Sequence, residues 1–371
     1  MPTGRKRSYV RDDPWHLPNG PLQFADLFSS VGCTSFAAKC CGMDVVLGID
    51  KDSGHSKLRD GLMRPVFKLN FPTAVFSNLE LGPATEPELL RLIAQTARKD
   101  RLWLHMSPPC HDLSVCRRGA TEADRERGMA TLCWCFELVL KIQPAHFSIE
   151  EVVTPQVEAV FMQYADKHPT VFGCSKLQLV EWGEPCSRQR MIATRPDVLR
   201  QLEMLKVPER TTLREHLASR MQLPRGAEYI TDMHNDPGLM KETKLSGALS
   251  SCSGDVRRLK YKHDGRLQKL ISLDTQGPCM TTNNPWLLSG LSACFEPLHA
   301  ITGDEAMSMV HIDFYQRSDG MLFEFKWPES EDNAGVVLKR YAAGNAIPGC
   351  FARMLFTSAI ICERFRHAYV Q

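Results

Sequence analysis

The sequence lacks the features that mark membrane and secreted proteins. Its 371 residues contain no apolar run of about 18 residues, so we expect no membrane-spanning segment. The first residues, MPTGRKRSYVRDDP, are basic and have no apolar stretch, which excludes a secretory signal peptide. This basic tip is either a solvated tail or a weak nuclear address. We therefore expect an intracellular protein, located in the nucleus if the source is eukaryotic.

The chain also lacks cysteine patterns that bind metals. Fourteen cysteines are scattered between Cys33 and Cys362, with no CxxC pair and no Cys/His cluster at zinc spacing. We expect no metal site. In a reducing compartment most of these residues would be free thiols that behave as small buried hydrophobes.

Strong overall charge is absent as well. The formal net charge is +2, so a nucleic-acid partner would need a local positive field. Segment 253–270, SGDVRRLKYKHDGRLQKL, is the best candidate, because six basic residues outnumber two aspartates. Its composition suits phosphate contact or, equally, a solvated surface loop. The 43% hydrophobic and 24% charged residues exclude a disordered chain. We find no internal repeat and no low-complexity tract.

Apolar runs and helical stretches alternate through the first half of the sequence. We predict strands at 22–28, 45–50, 74–78, 102–106 and 146–150. We predict helices at 86–98 and 121–142, and after Pro155. This alternation indicates an α/β fold with a parallel sheet covered on both faces. Ligands of such sheets bind at the carboxyl ends of the strands, where every candidate residue below is placed.

The turn after the first predicted strand suits a nucleoside cofactor. The strand ends in an acid and an aromatic residue, Gly32 permits a tight turn, and the second strand ends in Asp50. A carboxylate about 20 residues beyond such a turn is placed to bind ribose hydroxyls. The glycine pattern is weak, because Ser30 and Cys33 stand where a glycine-rich loop has glycines.

Cys110 is the one cysteine in an unusual context, the loop LHMSPPCHDLSVCRR after a buried strand. Two prolines stiffen this loop. The nearby Arg117 and Arg118 are expected to lower the pKa of the thiol. An inconsequential loop cysteine is the alternative. A cysteine protease is disfavoured, because the adjacent His111 would not face the thiol.

The strand HFSIE ends in a carboxyl group at the same crevice. Glu150 there could hold or donate a proton to a ring nitrogen. The alternative is an acid that stabilises the N-terminus of the following helix.

These segments together resemble the motifs of the cytosine-5 DNA methyltransferases. DLFSSVGC resembles the cofactor motif DLFSGxGG, SPPCH the nucleophile motif PPCQ, EEV the motif ENV, and EPCSRQR the motif PQSRxR. GPCMTT is similar to the strand after the family's recognition region, ITGDEAMSM to a late helix, and GNAIP to the terminal GNAVP. The motifs follow the family order and cover roughly residues 22–195 and 277–360.

The resemblance implies a Rossmann-like, S-adenosylmethionine-dependent methyltransferase sheet with a smaller target-recognition domain. Its catalytic domain would span 20–195, completed by 336–371, and the recognition domain would span 196–335. Cys110 would attack C6 of a flipped cytosine and Glu150 would bind N3. Arg188 and Arg190 would place the base. The implied cofactor contacts for S-adenosyl-L-methionine come from Asp26, Phe28, Ser29, Gly32, Asp50, Asn78, Pro108 and Asn345.

Several positions depart from the family pattern. Ser30 and Cys33 replace glycines, Asn78 replaces an acid, His111 and Cys186 replace glutamines, and Glu151 replaces an asparagine. The bond-making groups are retained, which favours an active enzyme acting on DNA. Two alternatives stay open, a tRNA cytosine-5 methyltransferase and an inactive nucleic-acid-binding regulator on the same fold. The tRNA branch typically carries a CFT tripeptide, which this sequence lacks. The sequence does not indicate protein partners.

Overall fold

The computed structural model describes a large α/β unit and parts of a second sheet. The described residues are 17, 20–52, 60–114, 120–207, 216, 259–263, 266–272, 277–278, 287–289, 297–300, 307, 310–328 and 333–370. The basic tip at 1–14, Arg117 and Arg118 lie outside them. Among the described residues, no helix has the length and apolar character needed to cross a bilayer.

A central sheet of seven strands organises the molecule, in the order β3-β2-β1-β4-β5-β8-β6. Its first five strands run parallel, and β8 runs antiparallel to both β5 and β6. The predicted Rossmann-like α/β class is confirmed as a mostly parallel sheet. The strands are β1 (Gln23–Leu27), β2 (Asp44–Asp50), β3 (Val75–Asn78), β4 (Leu102–Met106), β5 (His146–Val152), β6 (Gly173–Gln178), β7 (Cys186–Ser187) and β8 (Gln189–Thr194).

Helices cover both faces of this sheet. Leu89, Phe136 and Phe161 of α3, α4 and α5 pack on one face, and Ala37, Val198 and Phe356 of α1, α6 and α8 pack on the other. Burial of each large apolar side chain contributes roughly 1.5–3 kcal/mol. The helices are α1 (Cys33–Cys40), α2 (Met63–Asn70), α3 (Glu86–Thr96), α4 (Glu122–Ile142), α5 (Pro155–Lys167), α6 (Pro196–Glu203), α7 (Asn333–Asn345) and α8 (Gly349–Val370).

Short-range signals set where these helices begin. The Thr121 hydroxyl accepts from the Asp124 amide at 3.2 Å, and the Thr121 amide donates to the Asp124 carboxylate at 3.0 Å, which caps α4. At the start of α5 the Thr154 hydroxyl accepts from the Val157 amide at 3.2 Å, and Pro155 fits the first turn.

Three smaller sheets accompany the central sheet among the described residues. Strands β9 (Leu259–His263), β10 (Arg266–Ser272), β12 (Leu287–Ser289) and β13 (Pro297–Ala300) form a second sheet. Within the basic segment 253–270, the described residues 259–263 and 266–270 form an antiparallel strand pair. β11 (Gly277–Pro278) pairs with β7, and β14 (Phe314–Gln316) pairs with β15 (Leu322–Glu324). Met307, Val310 and Ile312 pack in one core cluster with residues of α1 and α2. The proposed domain boundaries stay a prediction.

Candidate active site

The Cys110 loop starts at the carboxyl end of β4, in the middle of the sheet. Pro108 is buried, Pro109 is extended with φ −60° and ψ 106°, and a single 3-10 turn begins at Cys110. The amides of Leu113 and Ser114 donate to the Cys110 carbonyl at 3.1 and 2.8 Å. Because prolines fix one side of Cys110 and two backbone hydrogen bonds fix the other, the thiol is held in place.

Glu150 and Arg190 lie on the neighbouring strands β5 and β8. The antiparallel register pairs Glu150 with Ile192 and Val152 with Arg190, which brings both side chains to one end of the sheet. Arg190 Nε lies 2.6 Å from Glu150 Oε1, and only 10% and 8% of these side chains are exposed. This ion pair lacks hydrogen-bond geometry, so Oε1 accepts no hydrogen bond from the described residues.

Arg188 is a second buried arginine, and it directly precedes β8. It is 2% exposed, and its Nη2 donates to the Gly344 carbonyl at 3.4 Å, at the end of α7. Its Nε and Nη1 have no hydrogen-bond partner among the described residues. Buried donors are nearly always paired, so these two are available to a ligand.

Buried carboxyl groups surround this arginine pair. Burial raises the pKa of Glu184 to about 8, against the lowering effects of Arg188, Arg190 and a weak hydrogen bond from Cys350. Burial and the charge of Glu150 hold the pKa of Glu151 well above its usual range. Glu151 Oε1 accepts from the Val152 amide at 2.6 Å, and Oε2 has no partner among the described residues.

These charges act on Cys110. Burial raises the pKa of the half-buried Cys110 thiol to about 12, Glu151 and Glu150 raise it further, and Arg190 and Arg188 lower it. The expectation of a lowered thiol pKa is therefore wrong for this state of the protein, because burial outweighs Arg190 and Arg188. The part assigned to Arg117 and Arg118 lies outside the described residues. The electrostatic contacts join the predicted catalytic residues, which we call the catalytic cluster: Cys110, Glu150, Arg188 and Arg190.

The loop between β1 and α1 adopts a strained backbone. Phe28 and Ser30 have φ 63° and 48°, a left-handed conformation that residues other than glycine rarely adopt. Gly32 has φ 93°, and a Cβ atom there would lie 2.6 Å from the Phe71 ring. Glycine is therefore required where the loop enters α1.

Two aspartates hold this loop. The Ser30 amide donates to Asp50 Oδ2 at 2.5 Å, which connects the ends of β1 and β2. Asp26 Oδ2 accepts from the Ser35 amide at 3.2 Å and from its hydroxyl at 2.5 Å. Asp26 is 1% exposed, and burial raises its pKa to about 7. Asp26 thus belongs to the scaffold under the loop.

The loop also offers free polar atoms. The buried hydroxyls of Ser29 and Ser30 have no partner among the described residues. Asn78 stands opposite Asp50 in the strand register, and its Oδ1 accepts from the Asp52 amide at 3.0 Å. Orphan hydroxyls, a half-buried carboxylate and an aromatic ring fit the hydroxyl-bearing, polar groups of S-adenosylmethionine.

α7 completes the crevice with a residue that the sequence reasoning missed. Asn345 is exposed at the end of α7 and forms a side-chain hydrogen bond with Tyr341, one turn earlier. Tyr341 interacts electrostatically with both Asp50 and Cys110. Its spacing from Asn345 was the available signal, because residues four apart share a helix face.

Comparisons with known proteins agree with this architecture. No protein-family model matches the sequence, and no curated protein shows significant similarity to it. Many solved structures match the chain, and three of those that match almost its whole length are described next.

A candidate DNA modification methyltransferase encoded within an E. coli prophage has 15% identity and a TM-score of 0.53, covering 91% of this chain and 98% of that chain. The S. pombe Dnmt2 methyltransferase has 13% identity and a TM-score of 0.51, covering 92% and 98%. The Entamoeba histolytica methyltransferase EhMeth has 12% identity and a TM-score of 0.55, covering 93% and 99%. Residues 23–194 form the mostly parallel sheet described above, and the chain shares the fold of these methyltransferases.

Proposed function

We propose that the protein is a cytosine-5 methyltransferase that uses S-adenosylmethionine and acts on DNA through a covalent Cys110 adduct. The observation that carries this proposal is the catalytic cluster. The Cys110 thiol and a buried glutamate at the carboxyl ends of β4 and β5 meet two buried arginines at the amino end of the antiparallel strand β8, with Arg190 Nε 2.6 Å from Glu150 Oε1. Each of these groups has a task in attacking and stabilising a pyrimidine ring.

The cofactor would lie along the loop after β1. Asp50 would accept hydrogen bonds from ribose hydroxyls, and the Phe28 ring and Asn78 would contact the adenine. The orphan hydroxyls of Ser29 and Ser30 would bind polar groups of the same ligand. When bound, S-adenosylmethionine supplies an electrophilic methyl group.

The catalytic cluster performs the ring chemistry in this mechanism. The target cytosine leaves the base stack, at a cost of a few kcal/mol. The Cys110 thiol gives its proton to the Glu150 carboxylate as its sulfur forms a bond to C6, and Glu150 donates that proton to N3, so electron density collects on C5. The unpaired donors of Arg188 bind the base or its phosphate. After methylation of C5, a solvent water takes the C5 proton, the S–C6 bond breaks, and the departing thiolate recovers a proton from N3 through Glu150.

DNA is the preferred substrate, because the sequence lacks the CFT tripeptide of the tRNA-methylating branch that it otherwise resembles. A tRNA substrate, a nuclear location and the contribution of segment 253–270 to phosphate binding remain predictions. The alternative of an inactive regulator is motivated by residues such as Glu151 and Cys186, which differ from the family pattern. The residues of the catalytic cluster itself are retained.

Covalent trapping tests the proposal. DNA duplexes and tRNA carrying 5-fluorocytosine are incubated with the protein and S-adenosylmethionine, because fluorine at C5 cannot be eliminated after methyl transfer. We expect a cofactor-dependent adduct that survives denaturation. Cys110→Ser should abolish it, since a serine hydroxyl is much less acidic and less nucleophilic than a thiol. Cys133→Ser is the matched control, because Cys133 is another half-buried cysteine, located on α4.

The outcomes separate the alternatives. Methylation by Cys110→Ser at the parent rate contradicts the mechanism. If adducts form on tRNA and none form on DNA, the protein is assigned to RNA methylation, and Cys110 is still the nucleophile. Cofactor binding without any adduct favours the inactive regulator.

A further inference from the structure

The turn that carries Cys110 is docked on the start of α4 through one arginine. Arg127 donates to Asp112 Oδ2 from Nη2 at 2.9 Å and from Nε at 3.3 Å. Asp112 is the last residue of the 3-10 turn that begins at Cys110. The Asp112 side chain is 14% exposed, and that of Arg127 is 63% exposed. The pair thus joins a largely buried carboxylate of the turn to a guanidinium on the helix surface.

The same guanidinium is fixed on α4 itself. Arg127 Nη2 donates to Asp124 Oδ1 at 2.6 Å, one turn earlier on the helix. Asp124 belongs to the capping box of α4, in which it exchanges two hydrogen bonds with Thr121. A planar guanidinium holds two carboxylates in fixed directions, which a flexible ammonium does less well. Arg127 therefore connects the Cys110 turn to the capped N-terminus of α4.

The next residue of α4, Gly128, lets the turn approach the helix closely. A Cβ atom at this position would lie 3.0 Å from the Leu113 side chain and 3.2 Å from Asp112 Cβ. Glycine weakens a helix interior relative to alanine, so this contact and not helix stability explains the glycine. Leu113 is buried in the same core cluster as Leu132 of α4. The turn is thus held on α4 by an ion pair, a close approach and an apolar contact.

We propose that Arg127 is a positioning residue, which holds the Cys110 sulfur at the point of attack by tying Asp112 to the start of α4. The catalytic part of this inference rests on the proposed function. Asp112 lies two residues from Cys110, so release of the turn from α4 would leave the thiol no longer fixed relative to Glu150 on β5. A misplacement of about 1 Å can slow a reaction about a hundredfold.

Single-turnover trapping on 5-fluorocytosine DNA, at saturating DNA and S-adenosylmethionine, measures the chemical step. Arg127→Gln and Asp112→Ala should each slow adduct formation about tenfold or more and leave the Kd for DNA within about twofold. The double variant should be no slower than the slower single variant, because both changes break the same contact. Arg127→Lys keeps the charge and loses the planar fork, so it should restore only part of the rate.

Arg125→Gln is the matched control, because Arg125 lies on the same helix, is 57% exposed and pairs with Glu122 three residues earlier. It should trap at the parent rate. A direct contact of Arg127 with DNA phosphate would give a different pattern. Arg127→Gln would then weaken DNA binding and flatten its salt dependence, and the effect of Asp112→Ala would add to it. That pattern overturns the positioning role.

Alkylation of Cys110 by iodoacetamide, with Cys133 as reference, tests the docked turn without any methyl transfer. Release of the turn should expose the half-buried thiol and speed its alkylation about threefold or more in Arg127→Gln and Asp112→Ala, but not in Arg125→Gln. Parent-like trapping by Arg127→Gln, or parent-like alkylation in both variants, overturns the proposal. If the parent forms no adduct on DNA or tRNA, the proposed function fails, and alkylation alone decides whether Arg127 holds the turn.

Discussion

The buried Asp26 should make the free energy of unfolding fall as pH rises, and Asp26→Asn should remove this dependence. Its carboxyl group is 1% exposed at the end of β1 and accepts two hydrogen bonds from Ser35. Burial raises its pKa from 3.8 to about 7, the Ser35 bonds oppose that rise, and the charge of Asp50 adds to it. The folded protein therefore keeps a proton that the unfolded chain loses near pH 4.

The sign and size of the effect follow from proton linkage. Between pH 3.8 and about 7, the folded state binds more protons at Asp26 than the unfolded state does. The contribution of Asp26 to the free energy of unfolding is therefore greatest below pH 3.8 and falls as pH rises through that window. A shift of roughly three pKa units corresponds to ~4 kcal/mol. Asp26→Asn keeps an oxygen that can accept from Ser35 and removes the titration.

Urea unfolding of the parent and of Asp26→Asn at pH 4 and pH 8 measures this contribution. We expect the stability of the variant relative to the parent to rise by ~4 kcal/mol between the two pH values. The stability of the variant is compared with that of the parent at each pH because other groups also titrate in this range. Glu184, with its pKa raised to about 8, acts in the same direction, and His105, with its pKa lowered to about 3, acts in the opposite one.

Ser35→Ala provides the control for this measurement. It removes a hydrogen bond that lowers the pKa of Asp26, so it should raise that pKa further and enlarge the loss of stability between pH 4 and pH 8. A variant-minus-parent stability that stays constant to within about 0.5 kcal/mol from pH 4 to pH 8 would refute the reasoning.

Two further substitutions test packing and electrostatics around the site. Gly48→Ala places a Cβ atom against the buried Phe67 ring and should lower the free energy of unfolding, measured in urea, by about 1–3 kcal/mol. Gly82→Ala is the control: there is open space around the new atom, so the substitution should be nearly neutral. Glu151→Gln removes a carboxyl that raises the pKa of Cys110, so alkylation of Cys110 by iodoacetamide, followed by mass spectrometry with Cys133 as reference, should begin at a lower pH than in the parent. An unchanged alkylation profile would show that the Glu151 charge does not reach the thiol.

The sheet could be predicted where the strands are continuous apolar runs. β4 is buried at all five positions and β1 at four of five, so hydrophobicity alone locates them. β6 was missed, because GCSKLQ has one fully buried residue and lies at the sheet edge. α2 lacks a local cap signal. The Asp52 carboxylate accepts from the amides of Met63 and Arg64 at 2.9 and 3.0 Å, across a chain separation that sequence patterns do not reveal.

The site could be predicted as a set of positions and less well as a set of contacts. The residues of the catalytic cluster were found from their motifs, but the ion pair of Glu150 and Arg190 depends on β8 running antiparallel to β5. That reversal has no signature in the alternation of strands and helices. Tyr341 was overlooked because its link to Asp50 and Cys110 joins segments about 230 to 290 residues apart in the chain.

The raised pKa of Cys110 links the electrostatics of the site to its proposed use. Burial, Glu151 and Glu150 keep the thiol protonated, and Arg190 and Arg188 do not offset them. A thiol with a pKa of about 12 is a weak nucleophile near neutral pH, so it is protected from adventitious oxidation and alkylation. On the proposed mechanism, Glu150 takes up a proton and donates it to N3 of the bound cytosine, which removes that negative charge from the surroundings of the sulfur. The arginines then act on the sulfur with less opposition, and the thiolate becomes accessible when the base is in place. Reactivity of Cys110 would thus depend on substrate binding more than on its own surroundings in the free protein.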